Sequence, residues 1–172
     1  QARMGASRLP GKVLEDMRGR PVLARILDRL GRCETLDTIV VATTTETRDD
    51  AITVLAGGMG VPVYRGPEND VLARYVGAAR EANADVVVRI TADCPMLCPD
   101  LASTVVGMLT GHVEYASNVF PWRTFPDGLD VEAFTLGALK KAHACAVRYD
   151  DRHHVTPYMR THVTVASLSR PN

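Results

Sequence analysis

The chain has 172 residues, with 20 Lys plus Arg, 20 Asp plus Glu and a formal net charge of zero. This length suits one domain, which buries roughly 70% of its unfolded surface and needs no disulfide or metal to fold. The balanced charge argues against a general nucleic-acid binder, whose affinity depends on a basic field. No apolar run is long enough to span a bilayer, so neither nucleic acid nor a membrane is the expected partner.

The four cysteines lie in apolar segments, at Cys33, Cys94, Cys98 and Cys145. Cys94 and Cys98 lack the spacing of a zinc knuckle, and no second Cys/His pair completes a site. We therefore expect buried free thiols and a reducing, cytoplasmic location.

The first element in chain order is a glycine-rich segment, QARMGASRLPGK. Glycine lets backbone N–H groups approach a ligand, and arginine and lysine add charge, so the segment is suited to phosphates. A solvated tail rich in turn residues would have the same composition, and the pattern alone does not exclude it. A Walker A loop is disfavoured, because five residues separate Gly5 from Gly11 and Val13, which cannot ligate a metal, follows Lys12.

Helices and strands then alternate along the chain. Helices are predicted over 21–32, from about Thr47 or Asp50 to Ala56, from Asp70 through about Ala79, over 100–109 and over 135–147. Strands are predicted over 38–43, 61–64, 85–91, 128–134 and 162–168. Residues 150–160 fit either one kinked helix or a short helix beginning at Thr156 and Pro157. This alternation predicts an α/β fold with a doubly wound, mostly parallel, Rossmann-like sheet and ligands at the carboxyl ends of its strands.

A carboxylate follows the most apolar of these strands, in the sequence TADCP at 91–95. Asp93 is placed to hold Mg²⁺ against triphosphate oxygens at the end of a central strand. It could instead cap the next helix, but Asp100 is a nearer candidate for that cap.

Polar side chains follow other strands too. Thr43, Thr44 and Thr45 end the segment TIVVATTT and could contact a base or ribose, although ordinary turn chemistry explains them equally well. Arg65 ends the sequence VPVYR and could face a phosphate or simply solvent. Asp70 is predicted to cap its helix rather than bind a ligand.

The stretch from Ser117 to Glu132 is polar and has few helix signals. Strand alternation places Asp130 and Glu132 on one face, where they could bind sugar hydroxyls or a metal, or form the wet face of an edge strand. Adjacent His153 and His154 diverge by about 100° on a helix, so a shared metal ion there is disfavoured.

Taken together, these stretches resemble the cytidylyltransferases that make CMP-activated acidic sugars, and in particular the branch of spore coat polysaccharide biosynthesis protein F. The matching stretches cover nearly the whole chain in the family's order: QARMGASRLPGKVL, TIVVATTT, VPVYRGPENDVLARY, DVVVRITADCP, SNV, RTFPDGLDVEAF and DRHHVTPYM. The resemblance implies a nucleotide-diphospho-sugar transferase architecture and the transfer of CMP from CTP to an acidic sugar, with release of pyrophosphate, in surface polysaccharide biosynthesis.

The resemblance also implies roles for individual residues. Arg3, Ser7, Arg8 and Lys12 would bind the CTP phosphates, and Thr43 and Thr44 would lie near the base or ribose. Gly5 of the same loop and the strand-end Arg65 complete the predicted nucleotide site. Asp93 would hold Mg²⁺ and act in catalysis together with Arg3 and Lys12. The acceptor would lie near Asn118, Arg123, Asp130 and Glu132.

Two features depart from the family pattern. The family has a strand before the glycine-rich loop and a further segment after the last strand, so we expect residues 1–172 to form one nucleotidyltransferase domain lacking both. Position 153, usually Glu in this branch, is His here. A nucleotidyltransferase for another nucleotide or a phosphonate acceptor, and a non-catalytic nucleotide- or sugar-binding module, remain alternatives. A homodimer is implied by resemblance only.

Overall fold

A computed structural model describes residues 1–5 and 9–170. The helices are α1 (Val22–Leu30), α2 (Asp50–Gly58), α3 (Val71–Glu81), α4 (Pro99–Gly107), α5 (Leu136–Cys145), α6 (Tyr149–His154) and α7 (Pro157–His162). The strands are β1 (Val41–Thr44), β2 (Val63–Gly66), β3 (Val86–Arg89), β4 (Tyr115–Ser117), β5 (Glu132–Thr135) and β6 (Val165–Ser167).

The strands form a parallel pair and a four-stranded sheet. β1 and β2 are the parallel pair, and the larger sheet has the order β3-β5-β4-β6. β5 runs antiparallel to both β3 and β4, whereas β6 is parallel to β4, so β5 alone reverses the common direction of that sheet. The predicted α/β, mostly parallel architecture is confirmed.

The first two residues connect the two sheets. The Gln1 amino group donates to the Ile90 carbonyl (2.9 Å), and the Ala92 N–H donates to the Gln1 carbonyl (3.0 Å). On the other side the Ala2 N–H donates to the Ala42 carbonyl of β1 (3.1 Å). The glycine-rich segment therefore begins between β1 and the segment that follows β3, which leads to Asp93.

Helices cover both faces of the larger sheet. Tyr115 and Phe134, paired across β4 and β5, pack against α3 and α5, whereas their neighbours Ala116 and Ala133 pack against α1 and α4. All four residues are fully buried. Because successive strand residues point to opposite faces, this arrangement is the doubly wound layering that the sequence predicts.

Three local predictions are wrong. Strand β4 is absent from the prediction, since its short sequence Tyr-Ala-Ser reads as part of a polar stretch. Asp100 does not cap α4; Cys98 occupies the N-cap, Pro99 begins the helix and Asp100 lies in its first turn. Cys145 is exposed rather than buried, because it lies at the last turn of α5.

The ambiguous segment near Pro157 forms two short helices, of which α7 is the short helix of the second interpretation and α6 was not predicted separately. Val155, with φ of 74°, separates α6 from α7, and Pro157 occupies the first turn of α7. Two ion pairs attach these helices to the rest of the fold: Arg152 with Asp70 at the N-cap of α3 (2.5 Å), and Arg160 with Glu132 of β5 (2.7 Å).

A close contact between β2 and α3 depends on a glycine. A Cβ atom at Gly77 would overlap the hydroxyl and ring of Tyr64, and one at Gly66 would lie 2.8 Å from the Tyr64 ring. The Tyr64 ring therefore occupies the space beside α3 that a side chain at position 77 would fill.

We predict that Gly77→Ala destabilises the protein by about 1–3 kcal/mol, the usual cost of overpacking. In a Tyr64→Ala background the same change should instead stabilise it by up to about 1 kcal/mol, because alanine has the higher helix propensity. Urea unfolding of the four variants measures both effects. An equal effect of Gly77→Ala in the two backgrounds would contradict this account of the contact.

Candidate active site

The glycine-rich loop and the segment after β3 meet in an ion pair. Lys12 Nζ lies 2.6 Å from Asp93 Oδ2, and the two side chains are 28% and 40% exposed. Burial raises the pKa of Asp93, but hydrogen bonds from Lys12 and Thr91 outweigh it, so that pKa lies below its ordinary value. Asp93 is thus an ionised, accessible carboxylate at neutral pH, and it does not cap α4.

The glycine-rich loop is closed by a backbone hydrogen bond from Gly11 N–H to the Met4 carbonyl (2.9 Å). Gly11 has φ of 76°, a left-handed conformation that favours glycine. Val13, at the position where a Walker A loop needs a hydroxyl, is 3% exposed and packs in the core. The loop therefore presents Lys12 at the surface while its next residue anchors it.

A buried carboxylate attaches this loop to the end of β1. Asp49 is fully buried, and its Oδ1 accepts from the Met4 N–H (2.7 Å). Its Oδ2 accepts from both the N–H and the hydroxyl of Thr44. Each hydrogen bond to a charged group contributes about 1.5–3 kcal/mol. Asp49 therefore positions the loop that the sequence predicts to bind phosphate.

The described part of the glycine-rich loop also includes Arg3 and Gly5. Gly5 lies against the ion pair of Arg48 and Glu68, since a Cβ there would be 3.2 Å from Arg48 Cζ. Arg3 is half-buried in the same loop. Ser7 and Arg8 lie outside the described residues.

Arg65, near the end of β2, contacts the end of β1 and the loop that follows it. Arg65 donates to the carbonyls of Thr44 and Glu46 (both 2.9 Å) and pairs with Asp50 (2.7 Å). Thr43 is fully buried, and its hydroxyl has no partner among the described residues. These contacts give Thr44 and Arg65 local structural partners; their proposed contacts with a nucleotide stay predictions.

Asp70 caps α3 as predicted, accepting from the Ala73 N–H (2.9 Å). Its second oxygen accepts from Arg152 Nε (2.8 Å), which attaches α6 to the start of α3. Burial raises the pKa of Asp70, but Arg152 and the Ala73 N–H outweigh it and hold that pKa below its ordinary value. On α6, His153 stacks on Tyr149 with ring centroids 5.2 Å apart.

Three of the predicted acceptor residues shape one loop between β4 and β5. The Asn118 amide donates to the Leu129 carbonyl (2.8 Å) and accepts from the Val131 N–H (2.9 Å). Arg123 forms a two-pronged ion pair with Asp130. The loop is thus closed by its own side chains, and Arg123 and Asp130 neutralise each other at its partly exposed surface.

Glu132 lies in the interior instead of on a wet strand face. The alternation is correct, but the face that Glu132 shares with Phe134 is covered by the second layer of helices. Its oxygens accept from Tyr115 (2.5 Å), Arg160 (2.7 Å) and Arg89. Burial raises the pKa of Glu132, but Arg89 and Arg160 lower it by more. The pKa therefore lies below its ordinary value, and the carboxylate stays ionised. Because protein groups already bond to the oxygens of Glu132, the structure does not support direct binding of the acceptor by this residue.

Sequence reasoning missed Asp49, Arg89 and Arg160. Asp49 follows the threonine-rich end of β1 and lies between Thr47 and Asp50, the two predicted helix starts, and nothing local shows that it bonds to Met4. Arg89 and Arg160 are far apart in sequence and become partners only through Glu132. The single available signal was a charged residue inside an apolar strand, at Arg89.

Searches of the described residues for two further features were negative. Residues 1–5 and 9–170 contain no group of three or more His, Cys, Asp or Glu side chains able to hold a metal. Over the same ranges, every helix is too short or too polar to cross a membrane.

Comparison with known proteins relates this architecture to one family. The sequence model of the family described as Cytidylyltransferase matches residues 1–170. The spore coat polysaccharide biosynthesis protein SpsF of Bacillus subtilis (strain 168) is 31% identical over 169 residues, covering 94% of this chain and 68% of the relative. A 3-deoxy-manno-octulosonate cytidylyltransferase of Anaeromyxobacter sp. (strain Fw109-5) is 37% identical over 124 residues, covering 70% of this chain and 49% of the relative.

A solved structure gives the same result at the level of the fold. A cytidylyltransferase from Leptospira borgpetersenii serovar Hardjo-bovis (strain JB197) superposes with a TM-score of 0.93 at 33% identity, covering 98% of this chain and 73% of the other. The chain spans about half to two-thirds of the length of the curated relatives that it matches. With a family match over nearly all of its residues, the chain belongs to the cytidylyltransferase family.

Proposed function

We propose that this protein transfers CMP from CTP to an acidic sugar or a related acceptor, releasing pyrophosphate, in the synthesis of a surface polysaccharide. The observation that carries the proposal is the ion pair of Lys12 and Asp93, a cation of the glycine-rich loop and a carboxylate of the segment that follows β3. The names of the relatives, which include a 3-deoxy-manno-octulosonate cytidylyltransferase and a polysaccharide biosynthesis protein, support CTP and a sugar as the substrates.

Lys12 and Arg3 are the cations proposed to bind the triphosphate. Both belong to the loop that Gly11 and Asp49 close and anchor, so their backbone positions are set before a ligand arrives. Lysine acts on phosphate as a point charge, and backbone N–H groups of such a turn add directional donors. The loop is therefore suited to the β- and γ-phosphates.

The residues fit a Mg²⁺ ion held mainly by the nucleotide. Such ions usually take one or two protein carboxylates together with substrate phosphate oxygens and water. Asp93 supplies one ionised and accessible carboxylate. When bound, Mg²⁺ would neutralise charge on the phosphates. Lys12 donates a hydrogen bond to Asp93 Oδ2. A bound nucleotide would draw Lys12 away from that carboxylate and toward its phosphates.

The proposed reaction needs no protein nucleophile. An acceptor hydroxyl oxygen attacks the α-phosphorus of CTP and gives up its proton to solvent water. The bond from the α-phosphorus to the oxygen that bridges it to the β-phosphate breaks, and pyrophosphate leaves in line with the electron pair of that bond. Positioning and charge stabilisation dominate such transfers. Lys12 and Arg3 would hold the leaving pyrophosphate, and the loop between β4 and β5 would face the acceptor.

The proposal predicts that the protein releases pyrophosphate from CTP, in preference to ATP, GTP or UTP, when Mg²⁺ and a suitable acidic sugar are present. Asp93→Asn should lower that rate by at least about 100-fold, since a metal-holding carboxylate stabilises the transition state by several kcal/mol. Asp100→Asn, a change in the first turn of α4, is the matched control and should keep the parent rate.

Pyrophosphate release from Asp93→Asn at the parent rate would contradict the assignment of Asp93. Preference for another nucleotide would indicate a different nucleotidyltransferase. CTP binding without pyrophosphate release for any acceptor would favour a binding module.

We predict that Lys12→Ala weakens CTP binding about 10- to 100-fold and changes CMP binding less than about twofold. A charge-assisted hydrogen bond contributes about 1.5–3 kcal/mol, and CMP lacks the β- and γ-phosphates. Calorimetric titration measures both affinities, with Lys140→Ala on the exposed face of α5 as the control. Equal losses for CTP and CMP would show that Lys12 serves the structure of the loop instead.

A further inference from the structure

Arg74 is a buried cation that the proposed mechanism does not use. It lies on α3, and only 1% of its surface is exposed. Within residues 1–5 and 9–170 it forms no ion pair. Its Nη1 donates to the carbonyls of Pro67 (2.7 Å) and Glu68 (3.5 Å), and its buried Nε has no partner in that part of the chain. Arginine stays charged at neutral pH, and burying an unpaired charge is costly, so Arg74 is suited to a nearby anion.

The position of Arg74 is fixed by close packing against the end of β2. A Cβ atom at Gly66, the last residue of β2, would lie 3.3 Å from Arg74 Cγ. The carbonyls that accept from Arg74 belong to the next two residues, Pro67 and Glu68. Arg74 therefore holds the segment that follows β2 against α3.

The segment that follows β2 in turn contacts the glycine-rich loop. Glu68 pairs with Arg48, and a Cβ atom at Gly5 would lie 3.3 Å from the Oε1 atom of Glu68. The charge of Arg74 also lies near this loop: burial lowers the pKa of Arg74, and the positive charge of Arg3 adds to that effect. Arg74 is therefore close to the loop that is proposed to bind phosphate, but in the protein interior.

Two carboxylates near Arg74 are bonded to other groups. Asp49 accepts from the Met4 N–H, and Glu68 pairs with Arg48. Burial lowers the pKa of Arg74, and the negative charges of Asp49 and Glu68 offset this effect only in part. Among the described residues, protein groups therefore do not fully compensate the charge of Arg74.

A triphosphate at the glycine-rich loop would supply negative charge close to this cation. Charges attract one another more strongly across the protein interior than across water, so Arg74 can act on phosphates that it does not touch. Packing against Gly66 fixes Arg74 before a ligand arrives, and binding therefore costs no further ordering of its side chain. Lys12 differs in this respect, because it is partly exposed.

We propose that Arg74 is a positioning residue for the triphosphate of CTP and acts in two ways without contacting the nucleotide. Its buried charge strengthens the attraction of the glycine-rich loop for phosphate. Its hydrogen bonds hold the segment of Glu68 beside Gly5 in that loop. This inference rests on the proposed cytidylyl transfer and adds a third cation, after Lys12 and Arg3, to its phosphate site.

The test measures how the effect of removing the Arg74 charge depends on the charge of the ligand. Arg74→Gln removes the charge and keeps a hydrogen-bond donor. It should weaken binding of CTP about tenfold or more, of CMP by less, and of cytidine less than about twofold, because the attraction grows with the ligand charge. Arg74→Lys keeps the charge and should bind CTP within about threefold of the parent protein. NMR chemical-shift titration without Mg²⁺, so that CTP keeps its full charge, measures these affinities.

Arg80→Gln is the matched control, because Arg80 lies on the same helix but is exposed. It should keep the affinities of the parent protein for all three ligands. Thermal unfolding of every variant verifies that it is folded.

If Arg74→Gln fails to fold, the parent protein provides a second measurement. The Nε–H of Arg74 is buried, so it exchanges slowly with water and gives its own signal in proton–nitrogen NMR spectra, assigned by its loss in Arg74→Lys. CTP should shift this signal, because the phosphate charges act on a nearby unpaired N–H. Cytidine at the same saturation should leave the signal within its linewidth.

Equal losses of CTP and cytidine binding in Arg74→Gln would show a purely structural role and overturn the inference. Loss of CTP binding in Arg74→Lys, weaker CTP binding in Arg80→Gln, or an Nε–H signal that CTP leaves unchanged would also overturn it. Failure of the folded parent protein to bind either CTP or inorganic triphosphate would have the same consequence.

Inorganic triphosphate distinguishes this inference from the proposed function. A parent protein that binds inorganic triphosphate, loses that binding in Arg74→Gln and releases no pyrophosphate from CTP with any acceptor would support the role of Arg74 and contradict cytidylyl transfer. A parent protein that releases pyrophosphate from CTP, with CTP affinity unchanged in Arg74→Gln, would contradict the role of Arg74 and leave cytidylyl transfer standing.

Discussion

The contact between Lys12 and Asp93 joins the first loop of the chain to the segment that follows β3, and the organisation of the candidate site depends on it. The two residues can meet because Gln1 and Ala2 lie between β1 and the segment that follows β3. Both side chains are partly exposed, so water screens their attraction and the pair is weak enough to open. A cation and a carboxylate held at this distance can separate toward phosphate oxygens and a metal ion, respectively.

Asp49, in contrast to the Lys12–Asp93 pair, makes buried contacts that fix the backbone of the loop. Its carboxylate is fully buried and accepts from Met4 and Thr44, so the loop and the end of β1 share one anchor. Arg65 supports the following segment by donating to Thr44 and Glu46. The site thus combines a backbone fixed by buried polar groups with a surface cation that is free to change partners, an arrangement suited to repeated binding and release of a charged ligand.

Much of the fold could be predicted from local sequence, whereas the polar contacts of the site could not. Apolar periodicity predicts α1, and the β-branched run before Thr44 predicts β1, because burial on one or both faces leaves a clear pattern. The short strand β4 has no such pattern, since it has three residues and is defined by its neighbours. Asp93 was predicted as a site residue because it follows an apolar strand, and the structure shows its contact with Lys12. Glu132 was misplaced on a possible wet face, because alternation gives the face of a strand but not the layer that covers it.

The most direct measurement of the central claim is hydrogen–deuterium exchange of the protein with and without CTP and Mg²⁺. If the loop and the segment after β3 form one triphosphate site, CTP should slow exchange in peptides spanning 3–14 and 90–97. Peptides from α4 and from the first turns of α5 should change little, because they lie on other parts of the sheet. Protection confined to regions away from the Lys12–Asp93 contact, or no protection at saturating CTP, would contradict the account.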